Sequence, residues 1–250
     1  MEQTLDIKKY IREVNRRRFI KYTGKITKVT GLTIESDGPI ATIGELCYIY
    51  PHNSLEPVLA EVVGFKDDKI LLMPLGDMEG IASGSSVVAS GKTLRVNVGE
   101  ALIGRVIDGL GNPIDGKGPI KTEKTYAVSN SPPNPLERKV ISEPLSFGIK
   151  AVDGLLTCGK GQRIGIFAGS GVGKSTLMGM VSRNSSADIN VIGLIGEIGR
   201  EVREFLEKDL KEEGLKKSVV VVVTSDQPAL IRVKGALVTT AIAEYFRDSG

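Results

Sequence analysis

The stretch Ala168-Gly169-Ser170-Gly171-Val172-Gly173-Lys174-Ser175-Thr176 decides how this chain is expected to fold. Its glycines allow the backbone to curl, so that several N–H groups point inward at phosphate oxygens. The pattern belongs between a strand and a helix, and the N-terminus of that helix adds the positive end of its dipole. Ala168 stands where glycine is usual and contributes no side-chain chemistry. We therefore predict a phosphate-binding loop between a strand and a helix.

Lys174 and Ser175 carry the chemistry expected of this loop. The Lys174 ammonium would contact the β- and γ-phosphates of a nucleoside triphosphate, and the Ser175 hydroxyl would be a ligand of Mg²⁺. A glycine-rich structural turn is the alternative interpretation. The residues predicted to bind the phosphates are Gly169, Ser170, Gly171, Val172, Gly173, Lys174, Ser175 and Thr176.

Predicted strands and helices alternate around the loop. The predicted strands are Arg163–Phe167, Asn190–Ile195 and Ser218–Thr224. The predicted helices run from Lys174 to about Arg183, from Arg200 to about Glu213 and from Ala229 to about Arg247. Strands that are buried on both faces and connected by helices form a parallel sheet. Residues 94–250 are therefore predicted to form an α/β phosphate-loop (P-loop) NTPase domain with a mainly parallel sheet.

Glu197 is a second candidate for a catalytic role. It follows the predicted strand Asn190–Ile195, and parallel sheets bind ligands at the carboxyl ends of their strands. Its carboxylate would face the phosphate loop, where it could orient or activate a water molecule for attack on the γ-phosphate. The alternative is a carboxylate at the start of a helix, where the helix dipole favours negative charge.

A further carboxylate that helps to hold Mg²⁺ is expected at the end of another core strand. Two candidates follow apolar runs, Asp108 after Val106-Ile107 and Asp226 after Val219–Val223. Asp108 lies in turn-rich sequence, and two residues, Thr224 and Ser225, separate Asp226 from the apolar run Val219–Val223. Neither position fits the expected pattern well.

The first 93 residues differ in character from the rest. Residues 1–20 have apolar side chains at helical spacing among many Lys and Arg, which predicts a basic amphipathic helix. That helix either packs on its own domain or docks on a partner or on anionic lipid. Residues 21–93 contain short alternating stretches separated by turn residues, with a hairpin turn within Phe65–Ile70. They are predicted to form a small β-barrel domain.

Composition excludes several classes of protein. The 250 residues are 41% hydrophobic and 25% charged, which is typical of a folded globular chain. No apolar run reaches the roughly 18–20 residues that cross a bilayer. The single His disfavours a His-based metal site, and Cys47 and Cys158 form no ligand pattern, so a reducing cytoplasm is expected. A net charge of +3 does not by itself indicate nucleic-acid binding.

Several further stretches resemble a known superfamily, the rotary-type ATPases. Gly104–Asp115 is similar to the marker that precedes their nucleotide domain, and Gly148–Leu155 leads toward the phosphate loop in the same way. Within that superfamily, the phosphate loop, Arg200–Phe205 and Thr224–Leu230 resemble the type III export ATPases. Residues 72–80 resemble the flagellar branch in particular.

The resemblance implies an ATP-hydrolysing motor subunit of the flagellar type III protein export apparatus. ATP and Mg²⁺ would be its cofactors, with Lys174 and Ser175 binding phosphate and Mg²⁺ and Glu197 activating water. It implies a cytoplasmic homo-hexamer at the inner face of the cell membrane. Its implied partners are a regulatory stalk protein at the N-terminus, the export gate, chaperone–substrate complexes and, peripherally, anionic lipid, but no nucleic acid.

The same resemblance implies that part of the machinery lies beyond Gly250. The missing parts would be the Mg²⁺-holding Asp, an arginine that acts on a neighbouring subunit's site, and a C-terminal helical domain. The chain is therefore expected to be truncated at its C-terminus. We expect it to hydrolyse ATP negligibly by itself, because each missing charge stabiliser is worth orders of magnitude in rate.

One position departs from the family pattern. The family usually follows the catalytic Glu with Arg, but here Ile198 follows Glu197. Loss of a cation near the γ-phosphate would weaken hydrolysis, unless Arg200 substitutes for it.

Four alternatives remain open at this point. A virulence-type (injectisome) secretion ATPase shares every motif. A subunit of a proton-translocating ATP synthase would carry a different glycine loop and Gly-Glu-Arg-Thr-Arg-Glu in place of Gly196–Glu201. An RNA-translocating hexamer needs base-stacking aromatic residues, whereas only 5% of this chain is aromatic. The fourth alternative is that the chain is a fragment that binds nucleotide without hydrolysing it.

Overall fold

The computed structural model describes Ile7 and residues 22–52, 54, 56–169 and 171–250. The rest of the predicted basic helix of residues 1–20 lies outside the described residues, and so does Ser170 of the phosphate loop. The chain divides into two compact units, Met1–Thr93 and Leu94–Gly250. Each unit has a buried apolar core of its own.

Six strands among the described residues of the first unit close into a barrel. They are β1 (Thr23–Thr30), β2 (Thr33–Asp37), β3 (Glu45–Tyr50), β4 (Val58–Lys66), β5 (Lys69–Pro74) and β6 (Ser86–Thr93). Their order is β1-β2-β5-β4-β3-β6, and neighbouring strands are antiparallel. The side chains that fill the interior include Ile26, Ile34, Ile49, Val62, Leu72 and Val87. The predicted small barrel is confirmed.

The β4–β5 hairpin turns at Asp67 and Asp68, within the predicted stretch. Both residues have a left-handed backbone, with φ values of 47° and 61°. Two consecutive left-handed residues match a type I′ turn, whose twist suits the twist of the strands on either side. Asp tolerates this conformation better than most residues do, so the local sequence favours the turn.

A parallel sheet lies at the centre of the second unit. Among the described residues it has three strands, β8 (Val106–Asp108), β10 (Asn190–Glu197) and β11 (Ser218–Thr224), in the order β10-β11-β8. The valines of β11 are buried because a strand lies on each side of them and helices cover the sheet. Strands β7 (Arg95–Val98) and β9 (Lys124–Ala127) form a separate antiparallel pair. The predicted parallel α/β architecture is confirmed.

Five α-helices are found among the described residues of this unit. They are α1 (Lys150–Leu155), α2 (Lys174–Asn184), α3 (Gly199–Glu204), α4 (Lys211–Leu215) and α5 (Ala229–Ser249). A π-helical segment, Phe205–Leu210, separates α3 from α4, so the helix predicted from Arg200 to Glu213 is broken into three pieces. Short 3₁₀ turns are found at Glu100–Leu102 and Pro135–Glu137. No helix in the described part of the chain has the length and apolar character that crossing a membrane requires.

The strand predicted at Arg163–Phe167 is wrong. Described residues 162–169 adopt neither helix nor strand, and the Phe167 side chain is 97% exposed. An extended apolar segment becomes a strand only when a neighbour takes up its N–H and C=O groups. The edge strands of the described sheet are β8 and β10, and neither pairs with this segment.

Candidate functional site

The phosphate loop enters helix α2 through two glycines with a left-handed backbone. Gly171 has a φ of 76° and Gly173 a φ of 96°, conformations that residues with a Cβ adopt only at a cost. Gly173 is the N-cap of α2, and no side chain among the described residues caps the first turn. The free N–H groups of that turn are therefore available to phosphate oxygens, and the helix dipole favours an anion there.

A cavity of about 320 Å³ opens beside this loop. Its lining residues from the loop and from α2 are Gly169, Gly171, Gly173, Lys174, Ser175 and Thr176. The rest of the lining consists of Glu197, Glu201, Glu204, Phe205 and Asp209. Val172, although predicted to bind phosphate, is not among the lining residues and is 67% exposed. The size suits a small-molecule ligand.

Lys174 and Glu197 meet in this cavity. The Lys174 Nζ lies 3.6 Å from the Glu197 Oε1, and both side chains are partly exposed. Glu197 is the last residue of β10, and its backbone carbonyl accepts a hydrogen bond from the Ser225 N–H beyond β11. The carboxyl ends of two parallel strands thus hold Glu197 beside the loop. Because 3.6 Å exceeds hydrogen-bond range, the ion pair is loose and open to exchange with a ligand.

Four of the cavity residues are not among the site residues predicted from the sequence, namely Glu201, Glu204, Phe205 and Asp209. A signal for three of them is present in the sequence. Glu201, Glu204 and Phe205 follow Glu197 at intervals of four, seven and eight residues, which is the spacing of one helix face. A helix that starts just after Glu197 therefore turns this face toward the phosphate loop.

The residues present suit Mg²⁺ as part of a nucleotide complex. The Ser175 hydroxyl and the carboxylates of the cavity are oxygen donors, which Mg²⁺ prefers. The described residues contain no cluster of three or more side chains able to cage a metal ion by themselves.

The two other candidate carboxylates do not line the cavity. The Asp108 Oδ1 accepts hydrogen bonds from the N–H groups of Leu110 and Asn112, so it closes the turn after β8. A hydrogen bond from the Thr224 side chain lowers the pKa of Asp226, which is exposed. Both carboxylates therefore have local structural partners.

The position after Glu197 offers no charge to the cavity. Ile198 is the N-cap of α3, and its side chain is 55% exposed. Arg200, the substitute that the sequence offers, is exposed and is not among the lining residues. Lys174 is the one cationic side chain among the described residues that line the cavity.

A barrel unit followed by a phosphate-loop unit with a parallel sheet defines a class of nucleotide-binding proteins. Two family models match its two parts. The beta-barrel domain of the ATP synthase alpha/beta family matches residues 26–91, and the nucleotide-binding domain of the same family matches residues 148–250. Together they match more than half of the chain, which belongs to the ATP synthase alpha/beta family.

Individual relatives include flagellum-specific ATP synthases and an ATPase of a type III secretion system. The chain is 58% identical to the flagellum-specific ATP synthase of Bacillus subtilis and 52% identical to that of Treponema pallidum, in each case over 92% of this chain. It covers 53% and 52% of those two proteins. The assembled ATPase EscN, solved with its central stalk EscO from the enteropathogenic E. coli type III secretion system, superposes with a TM-score of 0.81 at 47% identity. That match covers 90% of this chain and 55% of EscN. The chain thus spans about half the length of the relatives it matches.

Proposed function

We propose that this chain acts in flagellar type III protein export as an ATP-hydrolysing motor subunit. The observation that carries the proposal is the cavity in which Lys174 and Glu197 meet beside the phosphate loop. The flagellum-specific names of relatives at 58% and 52% identity support the flagellar assignment.

Lys174 exchanges its partner when nucleotide binds. In the described state the Lys174 ammonium lies near the Glu197 carboxylate. Arriving phosphates offer Lys174 more negative charge, so it moves to the β- and γ-phosphates while the N–H groups of the loop and of α2 bind the oxygens. Glu197 then loses its cation and accepts a hydrogen bond from a water molecule, which it orients toward the γ-phosphate.

Ser175 is the residue that would hold Mg²⁺ in this site. Its hydroxyl lies at the start of α2, in the cavity lining. When bound, Mg²⁺ neutralises charge that develops on the phosphates. The fold of the chain brings the Ser175 hydroxyl and the Glu197 carboxylate to the lining of one cavity.

We also propose that the isolated 250-residue chain hydrolyses ATP slowly and that turnover requires a homo-hexamer. Lys174 alone supplies positive charge among the described lining residues, and phosphoryl transfer needs more. The EscN structure, which is assembled and carries its stalk EscO, supports a similar assembly here. We place that assembly in the cytoplasm at the inner face of the membrane. A stalk protein and anionic lipid would meet its N-terminus, and the export gate and chaperone–substrate complexes would be its other partners.

Two substitutions test the site. Lys174→Ala should abolish binding of a fluorescent ATP analogue, whereas Glu197→Gln should retain binding and, in the homo-hexamer, lose phosphate release. Lys216→Ala and Glu212→Gln are matched controls, since they carry the same changes on an exposed pair at the end of α4, and they should change neither quantity. Equal nucleotide binding by Lys174→Ala and the unsubstituted chain would overturn the proposed site.

An injectisome role is the second candidate, because type 3 secretion ATPases are also relatives, at 48% identity in Xanthomonas euvesicatoria. The two roles differ in the cell. Deletion of the gene should abolish motility and export of flagellar proteins while leaving effector secretion intact. The opposite pattern would transfer the proposal to the injectisome, and ATP turnover that depends on single-stranded RNA would point to an RNA-translocating hexamer.

A further inference from the structure

Glu201, Glu204 and Asp209 form the acidic wall of the cavity, and the helical stretch that carries them is not regular. Between α3 and α4 the π-helical segment Phe205–Leu210 interrupts it. Lys211 follows the segment directly, and its backbone has a positive φ of 59°. π-Helical turns are rare and often coincide with functional sites, because the extra residue changes which side chains share a face.

This irregularity aligns Asp209 more closely with Glu201 along the cavity wall. In an unbroken α-helix, Asp209 would be rotated about 80° away from Glu201. A π-helical turn contains about 4.4 residues, which reduces that rotation to about 10°. Glu201, Phe205 and Asp209 therefore follow one another along the wall, and all three line the cavity.

The Asp209 backbone is fixed against the helix that begins at the phosphate loop. A Cβ placed on Gly179 of α2 would lie 2.7 Å from the Asp209 backbone, so only glycine permits this approach. Helix α2 starts at Lys174, and the π-helical segment packs directly on it. The distance between Asp209 and the loop is thus set by backbone packing.

The Asp209 side chain has no protein partner in the described part of the chain. It is half-buried, and no hydrogen bond or ion pair joins it to another described residue. A carboxylate that lines the cavity without a protein donor is free to accept hydrogen bonds from a ligand or from water there. Its place in the cavity shows where that ligand would lie.

We propose that Asp209 is a further binding residue of the nucleotide site, where it accepts hydrogen bonds from the water molecules that Mg²⁺ retains in its complex with ATP. Mg²⁺ dehydrates reluctantly and keeps several waters in nucleotide sites. Carboxylates that bind such waters tune metal affinity. The inference rests on the proposed function, because it requires that Mg²⁺-nucleotide occupies this cavity.

The experiment compares two binding conditions. The affinity of the full chain for a fluorescent ATP analogue is measured with excess Mg²⁺ and again with excess EDTA. Asp209→Asn should weaken binding about tenfold with Mg²⁺, through loss of the contact to bound water. It should strengthen binding about twofold in EDTA, because one negative charge near the phosphates is removed. Glu207→Gln, on the same π-helical segment but exposed and paired with Arg203, should change neither value.

Asp209→Asn is expected to weaken binding with Mg²⁺ and to strengthen it in EDTA. These opposite effects distinguish loss of the contact to bound water from damage to the fold. Weaker binding under both conditions would mean that the substitution damages the fold, and no loss with Mg²⁺ would mean that Asp209 does not meet the hydrated cation. Either result overturns this inference while the proposed function stands. Failure of the unsubstituted chain to bind the analogue at all would instead overturn the proposed function.

Discussion

Lys211 is the non-glycine residue with a positive φ that directly follows the π-helical segment. Its Cβ crowds the following carbonyl, which costs about 1–2 kcal/mol. Lys211→Gly should therefore raise the free energy of unfolding by about 1 kcal/mol, after allowance for the greater freedom of glycine in the unfolded chain. The midpoint of urea unfolding measures the effect.

Lys211→Ala is the control for that prediction. It removes the same charge and the same long side chain but keeps the Cβ. Its unfolding midpoint should stay close to that of the unsubstituted chain. If Ala stabilises the protein as much as Gly does, the backbone conformation is not the cause.

Ile198 places an apolar side chain at the position that follows Glu197. Its side chain is 55% exposed, so a longer charged side chain can be accommodated there. In the homo-hexamer, Ile198→Arg should increase ATP turnover about tenfold, since a charge-assisted contact to the transferring phosphoryl group stabilises the transition state. Phosphate release at saturating Mg²⁺ and ATP measures this. Ile198→Gln, which is polar but uncharged, should give little gain, and an unchanged rate for Arg would contradict the idea.

At the scale of elements, an ion pair fixes the loop after β8. The Arg105 Nε lies 2.7 Å from the Asp115 Oδ2, and both side chains are largely buried. The Val106 N–H, at the start of β8, donates to the same carboxylate. The hydrogen bond from Arg105 holds the pKa of Asp115 well below its usual range. Strand β8 and its following loop are therefore joined through one carboxylate.

Asp115→Asn should lower the melting temperature by about 5 °C, because Arg105 loses its buried counter-charge. The pKa of Asp115 is lower in the folded chain than in the unfolded chain. Its contribution to stability is therefore complete above the unfolded pKa and is lost as pH falls below about 4. The unfolding free energy of the Asn variant should fall less steeply on acidification, and equal slopes would show that Asp115 does not contribute.

Some of these elements can be predicted from the sequence and others cannot. The phosphate loop, helix α2 and the strand before Glu197 follow from local pattern, since their residues specify turn, helix and burial directly. The segment Arg163–Phe167 has the apolar composition of a strand, but composition does not supply a neighbouring strand. The π-helical segment leaves no mark in the spacing of apolar residues, so the closer alignment of Asp209 with Glu201 does not follow from the sequence.

At the scale of the whole molecule, the second unit exposes many apolar side chains. Residues 136–172 contain many of its most exposed apolar side chains, including Leu136, Val140, Leu155 and Phe167, which are 94%, 87%, 83% and 97% exposed. Apolar side chains exposed in such number promote association where they lie close together. The chain is therefore expected to self-associate as its concentration rises.

Phe167→Ser should reduce that association and the binding of a hydrophobic dye. The unfolding free energy should change by less than about 0.5 kcal/mol, because the side chain is almost fully exposed. Light scattering against concentration and dye fluorescence measure the two effects. Unchanged association would show that other residues of the patch dominate it.

The exposed segment around Phe167 also bears on the lifetime of the protein in a cell. Chaperones and proteases continuously triage chains that expose apolar surface. A folded chain that displays such a stretch presents the same signal as an unfolded one. The steady-state amount of this protein in a cell should therefore depend on how much of the surface that covers the segment is present. Quality control should remove the copies whose segment stays uncovered.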